Sequence, residues 1–253
     1  MGDSVRLFSM DTGSYAQFRP TYPDALFAWL ASQSNAHTRA LDVAAGTGQA
    51  TLGLLPHFQT VVACDANITQ LQGTPSWGPA KRFAADAERL PLVSGSIDLM
   101  VVAQALHWFA TPAFFAEARR VLTHDGLFCA WCYGLLNLGP DLDDMISQLH
   151  GETLAGFWPE GRASVDAGYR DIRPPFPLIK TPAFCIEAQW RLEQLLGYLR
   201  TWSAARQWQQ TYGADPIAAI TPALQARWGD PEQARQVRWP LHFISGYPGK
   251  QEA

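Results

Sequence analysis

From residue 23 to about 133, apolar runs alternate with apolar residues at helical spacing, the pattern of a parallel sheet with crossover helices. Pro23 and Asp24 open a helix whose apolar face is Leu26, Trp29 and Leu30. A first strand is predicted over about 39–45, and a short helix over about 48–55 stops at Pro56. The second strand runs from Thr60 to Cys64 and ends on Asp65; the third runs from Arg82 to Ala85 and ends on Asp86. Ile97 to Ala103 is a continuous apolar run suited to burial on both faces. Thr111-Pro112 then caps a helix carrying Phe114, Phe115, Ala118, Val121 and Leu122 on one side. Gly126 leads into a fifth strand, Leu127 to Tyr133.

The regularity breaks after residue 133, where Pro and Gly become frequent up to Pro182. Strand character returns at Phe184 to Trp190 and again over about Val237 to Ser245. Between them, Leu195, Leu196, Leu199 and Trp202 lie at helical spacing in a segment from about Leu192 to Gln210.

The chemistry concentrates where strands end. The run Leu41-Asp-Val-Ala-Ala-Gly-Thr-Gly-Gln-Ala50 leads from a strand through two glycines into a helix. Glycine allows a sharp turn and a close backbone approach to a ligand, and the helix start offers free N–H groups. Thr51 stands where a dinucleotide fingerprint would place its third glycine, and the neighbouring Asp42 would repel a pyrophosphate. A nicotinamide-dependent oxidoreductase is the rival this disfavours. Asp42, Asp65 and Asp86 end three successive strands, and ligands of open α/β sheets bind at those ends. Three carboxylates there favour a cationic ligand bearing hydroxyl donors. Asp65, about twenty residues beyond the glycines, stands where it can accept from both hydroxyls of a ribose.

The Asp42-x-Ala44-x-Gly46-Thr47-Gly48 run resembles the first motif of the class I S-adenosylmethionine-dependent methyltransferases, and Asp86-Ala87 resembles their third. Gln104-Ala-Leu-His107-Trp-Phe109 resembles the segment after their fourth strand. Tyr15-x-x-x-Arg19-Pro-x-Tyr22-Pro23 is similar to an N-terminal lid carried by many small-molecule members. Gly168-Tyr-Arg-Asp171, Gly197-Tyr-Leu-Arg-Thr-Trp-Ser203 and Trp239-Pro-Leu241 resemble a branch that includes the trans-aconitate-type carboxyl methyltransferases. The chain departs from the first motif at Ala44 and Ala45, where the family often has glycine, or cysteine or glycine.

The resemblance implies a Rossmann-like seven-stranded, mostly parallel α/β sheet with an antiparallel last strand and helices on both faces. It implies one domain over 1–253, divided into an N-terminal lid and helix (1–35), a cofactor-binding core (36–133) and substrate-covering segments (134–182 and 192–235). The expected cofactor is S-adenosyl-L-methionine, released as S-adenosylhomocysteine. Tyr15, Arg19, Asp42, Ala44, Gly46, Gly48, Asp65, Ala66, Asp86, Ala87 and Gln104 are its expected binding residues. Arg19 would pair with the cofactor carboxylate.

His107 is the candidate catalytic group, as a proton acceptor, a partner to the substrate, or a structural residue holding the loop. Alignment and exclusion of water are the other requirements of methyl transfer. Tyr22, Trp131, Tyr133, Trp158 and Trp202 are candidate walls for the substrate. Oxygen, as hydroxyl or carboxylate, is the favoured acceptor; carbon or nitrogen methylation, or a cofactor-binding protein with cyclase-like activity, are the alternatives.

Composition narrows the partners. Charged residues are 17% of 253 and the net charge is −4, without long runs of one sign, so nucleic acid is not an expected partner. No segment approaches the ~20 apolar residues of a membrane span. Cys64, Cys129, Cys132 and Cys185 are scattered, and Cys129-x-x-Cys132 lies in an apolar strand, which reads as buried thiols rather than a redox or zinc motif. No metal site is expected, the reading is of a cytoplasmic protein acting on a small molecule, and oligomeric state is left open.

Overall fold

A computed structural model describes residues 19–72 and 77–250. Its strands are β1 (Arg39–Val43), β2 (Thr60–Asp65), β3 (Lys81–Ala84), β4 (Ile97–Ala103), β5 (Leu122–Tyr133), β6 (Cys185–Trp190) and β7 (Arg235–Gly246). They form a seven-stranded sheet in the order β3-β2-β1-β4-β5-β7-β6. The first five pair in parallel, and β7 is antiparallel to both β5 and β6. Strand order reverses between β1 and β4, so the carboxyl ends of these two neighbours flank the switch point of the sheet.

The chain divides into two compact units. One comprises, among the described residues, 21–72, 77–133, Ala163–Phe184 and 241–250. It contains β1 to β5 with α1 (Asp24–Gln33), α2 (Gln49–Leu54), α3 (Ile68–Gln72) and α4 (Pro112–Val121). All but the last residue of β4 is buried, as a strand covered on both faces requires. Against it α4 buries Phe114, Phe115, Ala118 and Val121. Phe114, Phe115, Phe128 and Phe176 meet mostly edge-to-face, with centroids 5.5–6.1 Å apart. Thr111 caps α4 by accepting from the Phe114 N–H at 3.1 Å.

The other unit comprises, among the described residues, 19–20, Gly134–Arg162 and Cys185–Pro240. It contains α5 (Pro140–Gln148), β6, α7 (Leu192–Arg200), α8 (Ser203–Tyr212) and α9 (Pro216–Trp228); a short α6 (Arg162–Asp166) begins where this unit ends. Its interior is aromatic: Trp190, Tyr198 and Trp239 meet at 4.8–5.6 Å, and the Trp239 indole N–H donates to the Tyr198 hydroxyl at 3.3 Å.

Several boundaries differ from the sequence reading. β1 ends at Val43 because Ala44 turns left-handed, φ 55°. β5 begins at Leu122 rather than 127: Leu122 pairs with Ile97 and Leu127 with Leu99, so the residues between bulge out of register. The helix expected over 192–210 is two helices, α7 and α8. Thr201 ends the first by donating its hydroxyl to the Tyr198 carbonyl at 2.6 Å, and Trp202 is extended. α5 lies in the stretch read as irregular because of its prolines and glycines, and α9 in a stretch for which no element was predicted. Pro140 and Pro216 occupy first-turn positions, where no N–H is needed.

Candidate active site

The parallel register brings the ends of β1, β2, β3 and β4 to one edge of the sheet: Val43 lies beside Cys64, Asp65 beside Ala84, and Asp42 beside Val101. The backbone there is unusual. Ala44 (φ 55°), Gly46 (φ 55°), Gly48 (φ 83°) and Gln104 (φ 58°) are all left-handed. For the two non-glycine residues this conformation costs free energy and persists only where the surroundings impose it. At Gln104 they do. Its N–H donates to the Trp131 carbonyl (2.9 Å), while its side-chain amide donates to the Tyr133 carbonyl (3.1 Å) and accepts from the Tyr133 N–H (3.0 Å).

The three strand-end aspartates have three different environments. Asp42 is wholly buried; one oxygen accepts from the Thr51 hydroxyl at 2.6 Å and the other, Oδ1, has no partner. Burial pushes its pKa up to about 7 against the pull of Thr51. Asp65 accepts the Gly46 N–H at 2.9 Å and the Asn67 N–H at 2.8 Å, one on each oxygen. Burial raises its pKa, and those two N–H groups oppose the rise. Each of its oxygens keeps a second lone pair. Asp86 accepts the Glu88 N–H at 3.0 Å and shapes the turn after β3. Ala66, beside Asp65, is exposed, and Ala87 is half-buried.

Trp77, absent from the expected set, lies against this loop. A Cβ on Gly48 would sit 2.6 Å from its ring, and its buried indole nitrogen has no partner. No hydrophobic period marks it in the sequence. His107 follows Gln104 in a 3-10 turn, Leu106–Trp108, and its Nδ1 lies 3.2 Å from the Tyr169 hydroxyl. Tyr22 meets the Trp131 ring edge-on at 5.3 Å, and both side chains are buried, as is Tyr133.

The remaining expected residues lie in the other unit. Arg19 holds its guanidinium 5.3 Å from the centre of the Tyr198 ring. Trp202 and Trp158 meet at 5.5 Å, and His150 lies 4.5 Å from Trp158. Tyr15 falls outside the described residues. The four cysteines are free thiols, with Cys64, Cys129 and Cys132 buried; burial raises the first and pushes Cys129 up to about 12. Among the described residues no group of three potential metal ligands occurs, and no helix is long and apolar enough to cross a membrane.

A parallel sheet with this strand order, an antiparallel β7 and an acid-lined glycine loop at the switch point is the architecture of the class I S-adenosylmethionine-dependent methyltransferases. A family profile described as a methyltransferase domain matches residues 41–130. A Dictyostelium discoideum protein assigned to the methyltransferases is 30% identical over 94% of this chain and 93% of its own length. A solved structure from Anaeromyxobacter dehalogenans, described as a type II methyltransferase, is similar with a TM-score of 0.85 and 40% identity, covering 91% of this chain and 98% of that one. A malonyl-[acyl-carrier protein] O-methyltransferase of Geobacter sulfurreducens is 32% identical over 49% of each chain. The chain belongs to the methyltransferase family and is a S-adenosylmethionine-dependent methyltransferase.

Proposed function

We propose that the chain methylates a small-molecule metabolite at oxygen, a hydroxyl or a carboxylate, using S-adenosylmethionine. The observation that carries the cofactor reading is Asp65. Its oxygens are fixed by the Gly46 and Asn67 N–H groups at the switch-point edge, each with a lone pair left to accept a hydroxyl. The donor set suits the cofactor: Asp42 offers a buried oxygen without a partner, and the left-handed loop 44–48 brings backbone close.

S-adenosylmethionine, when bound, supplies an electrophilic methyl group on a sulfonium. Asp65 and Ala66 would hold its ribose, Asp86 and Ala87 its adenine, and Asp42, Ala44, Gly46, Gly48 and Gln104 its amino-acid part. Buried aromatic side chains such as Tyr22, Trp131 and Tyr133 exclude water, which would otherwise compete with the acceptor and screen its charge. His107 faces the acceptor in this reading. The Geobacter relative, an O-methyltransferase by name, supports oxygen as the acceptor.

Calorimetric titration tests the cofactor: S-adenosylhomocysteine binds and NAD does not. Incubation with tritiated S-adenosylmethionine and a low-molecular-mass cell extract then yields products heavier by one methylene. Binding of NAD in place of S-adenosylhomocysteine, or label confined to protein or nucleic acid, would refute the reading.

A further inference from the structure

The two glycines of the turn after β1 have different surroundings. The Gly48 N–H closes the turn by donating to the Ala45 carbonyl at 2.8 Å, and the Ala45 N–H ties it to β2 by donating to the Cys64 carbonyl at 3.0 Å. A Cβ on Gly46 would meet no described residue within 4 Å. A Cβ on Gly48 would meet three carbons of one ring, that of Trp77, at 2.6–2.8 Å. Both glycines have positive φ, so each position uses backbone freedom. Of the two, Gly48 is the one whose side-chain space a neighbour already fills.

That neighbour is itself held in place. Trp77 is buried with Ala63 of β2 and Leu71 of α3, and Ala45 of the turn packs against the same cluster. The Arg82 guanidinium lies 5.4 Å from the centre of the indole ring and donates to the Leu71 carbonyl at 2.8 Å. The carbons that reach Gly48 belong to the six-membered ring, Cε3, Cζ3 and Cη2. The indole nitrogen is buried and has no partner among the described residues. No hydrogen bond orients the ring, so packing sets where it sits.

We infer that Trp77 is a positioning residue for the cofactor. It bears on the turn at Gly48 and so holds the 45–48 backbone where Gly46 can meet the ligand. This rests on the proposed placement of the cofactor's amino-acid part at the turn. It separates two reasons for glycine within one motif: at 46 the room a ligand needs, at 48 the room a tryptophan occupies. Truncating the ring would leave a cavity beneath the turn, into which the surroundings relax only in part. A turn free to shift there loses the ~0.5 Å precision that a binding site requires.

Calorimetric titration of the full chain with S-adenosylhomocysteine tests this, in Gly46→Ala and Gly48→Ala, each alone and combined with Trp77→Leu. Trp77→Leu by itself should weaken binding about tenfold while urea unfolding stays cooperative. Should Trp77→Leu lack a cooperative transition, Trp77→Phe, which also draws back from Gly48, takes its place throughout. Combined with Gly48→Ala, the tryptophan substitution should restore part of the affinity that Gly48→Ala loses; combined with Gly46→Ala, it should restore none. Methylthioadenosine, which lacks the amino-acid part, should lose less than about threefold in Trp77→Leu. Wild-type affinity in Trp77→Leu, no relief of Gly48→Ala, equal relief of Gly46→Ala, or equal losses for the two ligands would each overturn the assignment. Failure of the wild-type chain to bind S-adenosylhomocysteine would instead defeat the cofactor reading on which it rests.

Discussion

The buried carboxyl of Asp42 makes the stability of the protein depend on pH in an unusual direction. Its pKa rises from the ordinary 3.8 to about 7 on folding, because the side chain is wholly buried and only one of its oxygens has a partner. A folded state that holds its proton more tightly than the unfolded one is stabilised below the unfolded pKa. It loses that contribution as pH climbs through the folded pKa. The window therefore runs from about pH 4 to about pH 7. The difference of about 3 pH units, at about 1.36 kcal/mol each, sets a ceiling of about 4 kcal/mol. Asp65 adds in the same direction, since its pKa is also raised.

Asp42→Asn isolates the first contribution. The amide carries no titrating proton, and its carbonyl can still accept from Thr51, whose hydroxyl lies 2.6 Å from Asp42 Oδ2. Urea unfolding of wild type should lose stability between about pH 4 and about pH 7, and the variant should lose less by about 3 kcal/mol over that window. At pH 4 and below the variant should be the less stable, because its NH2 is buried without an acceptor, which costs about 1–3 kcal/mol. Equal pH slopes in the two proteins would refute the assignment of the buried proton to Asp42.

Gly48→Ala places a methyl group 2.6 Å from the Trp77 ring at φ 83°, so S-adenosylhomocysteine affinity should fall at least about tenfold by calorimetry. Adding Trp77→Ala should recover only part of it, because the backbone strain remains. Phe114→Ala, at the centre of the aromatic cluster beneath α4, should cost about 3–5 kcal/mol in urea unfolding.

The strands of the core were readable because each is a short apolar run ending in a charged or small residue. Ile97–Ala103 is found at the bounds its composition predicts. The helix α5 was masked by the prolines around it, and α9 received no prediction although Asp215-Pro216 is a capping signature: the Asp215 carboxylate accepts from the Ile217 N–H at 2.9 Å. Asp42, Asp65 and Asp86 looked equivalent as strand ends. Which N–H or hydroxyl each one meets depends on how loops from different strands come together, and that separates a buried proton holder, a loop anchor and a turn former.

By itself the sequence determined the parallel core, the family and the gathering of glycines and aspartates at the ends of successive strands, because strand period, glycine spacing and strand-end charge are local properties of the chain. Only the tertiary structure decided the left-handed turns at Ala44 and Gln104, the Trp77 ring against Gly48, and the pairing of His107 with Tyr169. Those depend on side chains far apart in the chain meeting in a buried place, where a single unpaired hydroxyl or carboxyl oxygen is costly enough to fix which partner it takes.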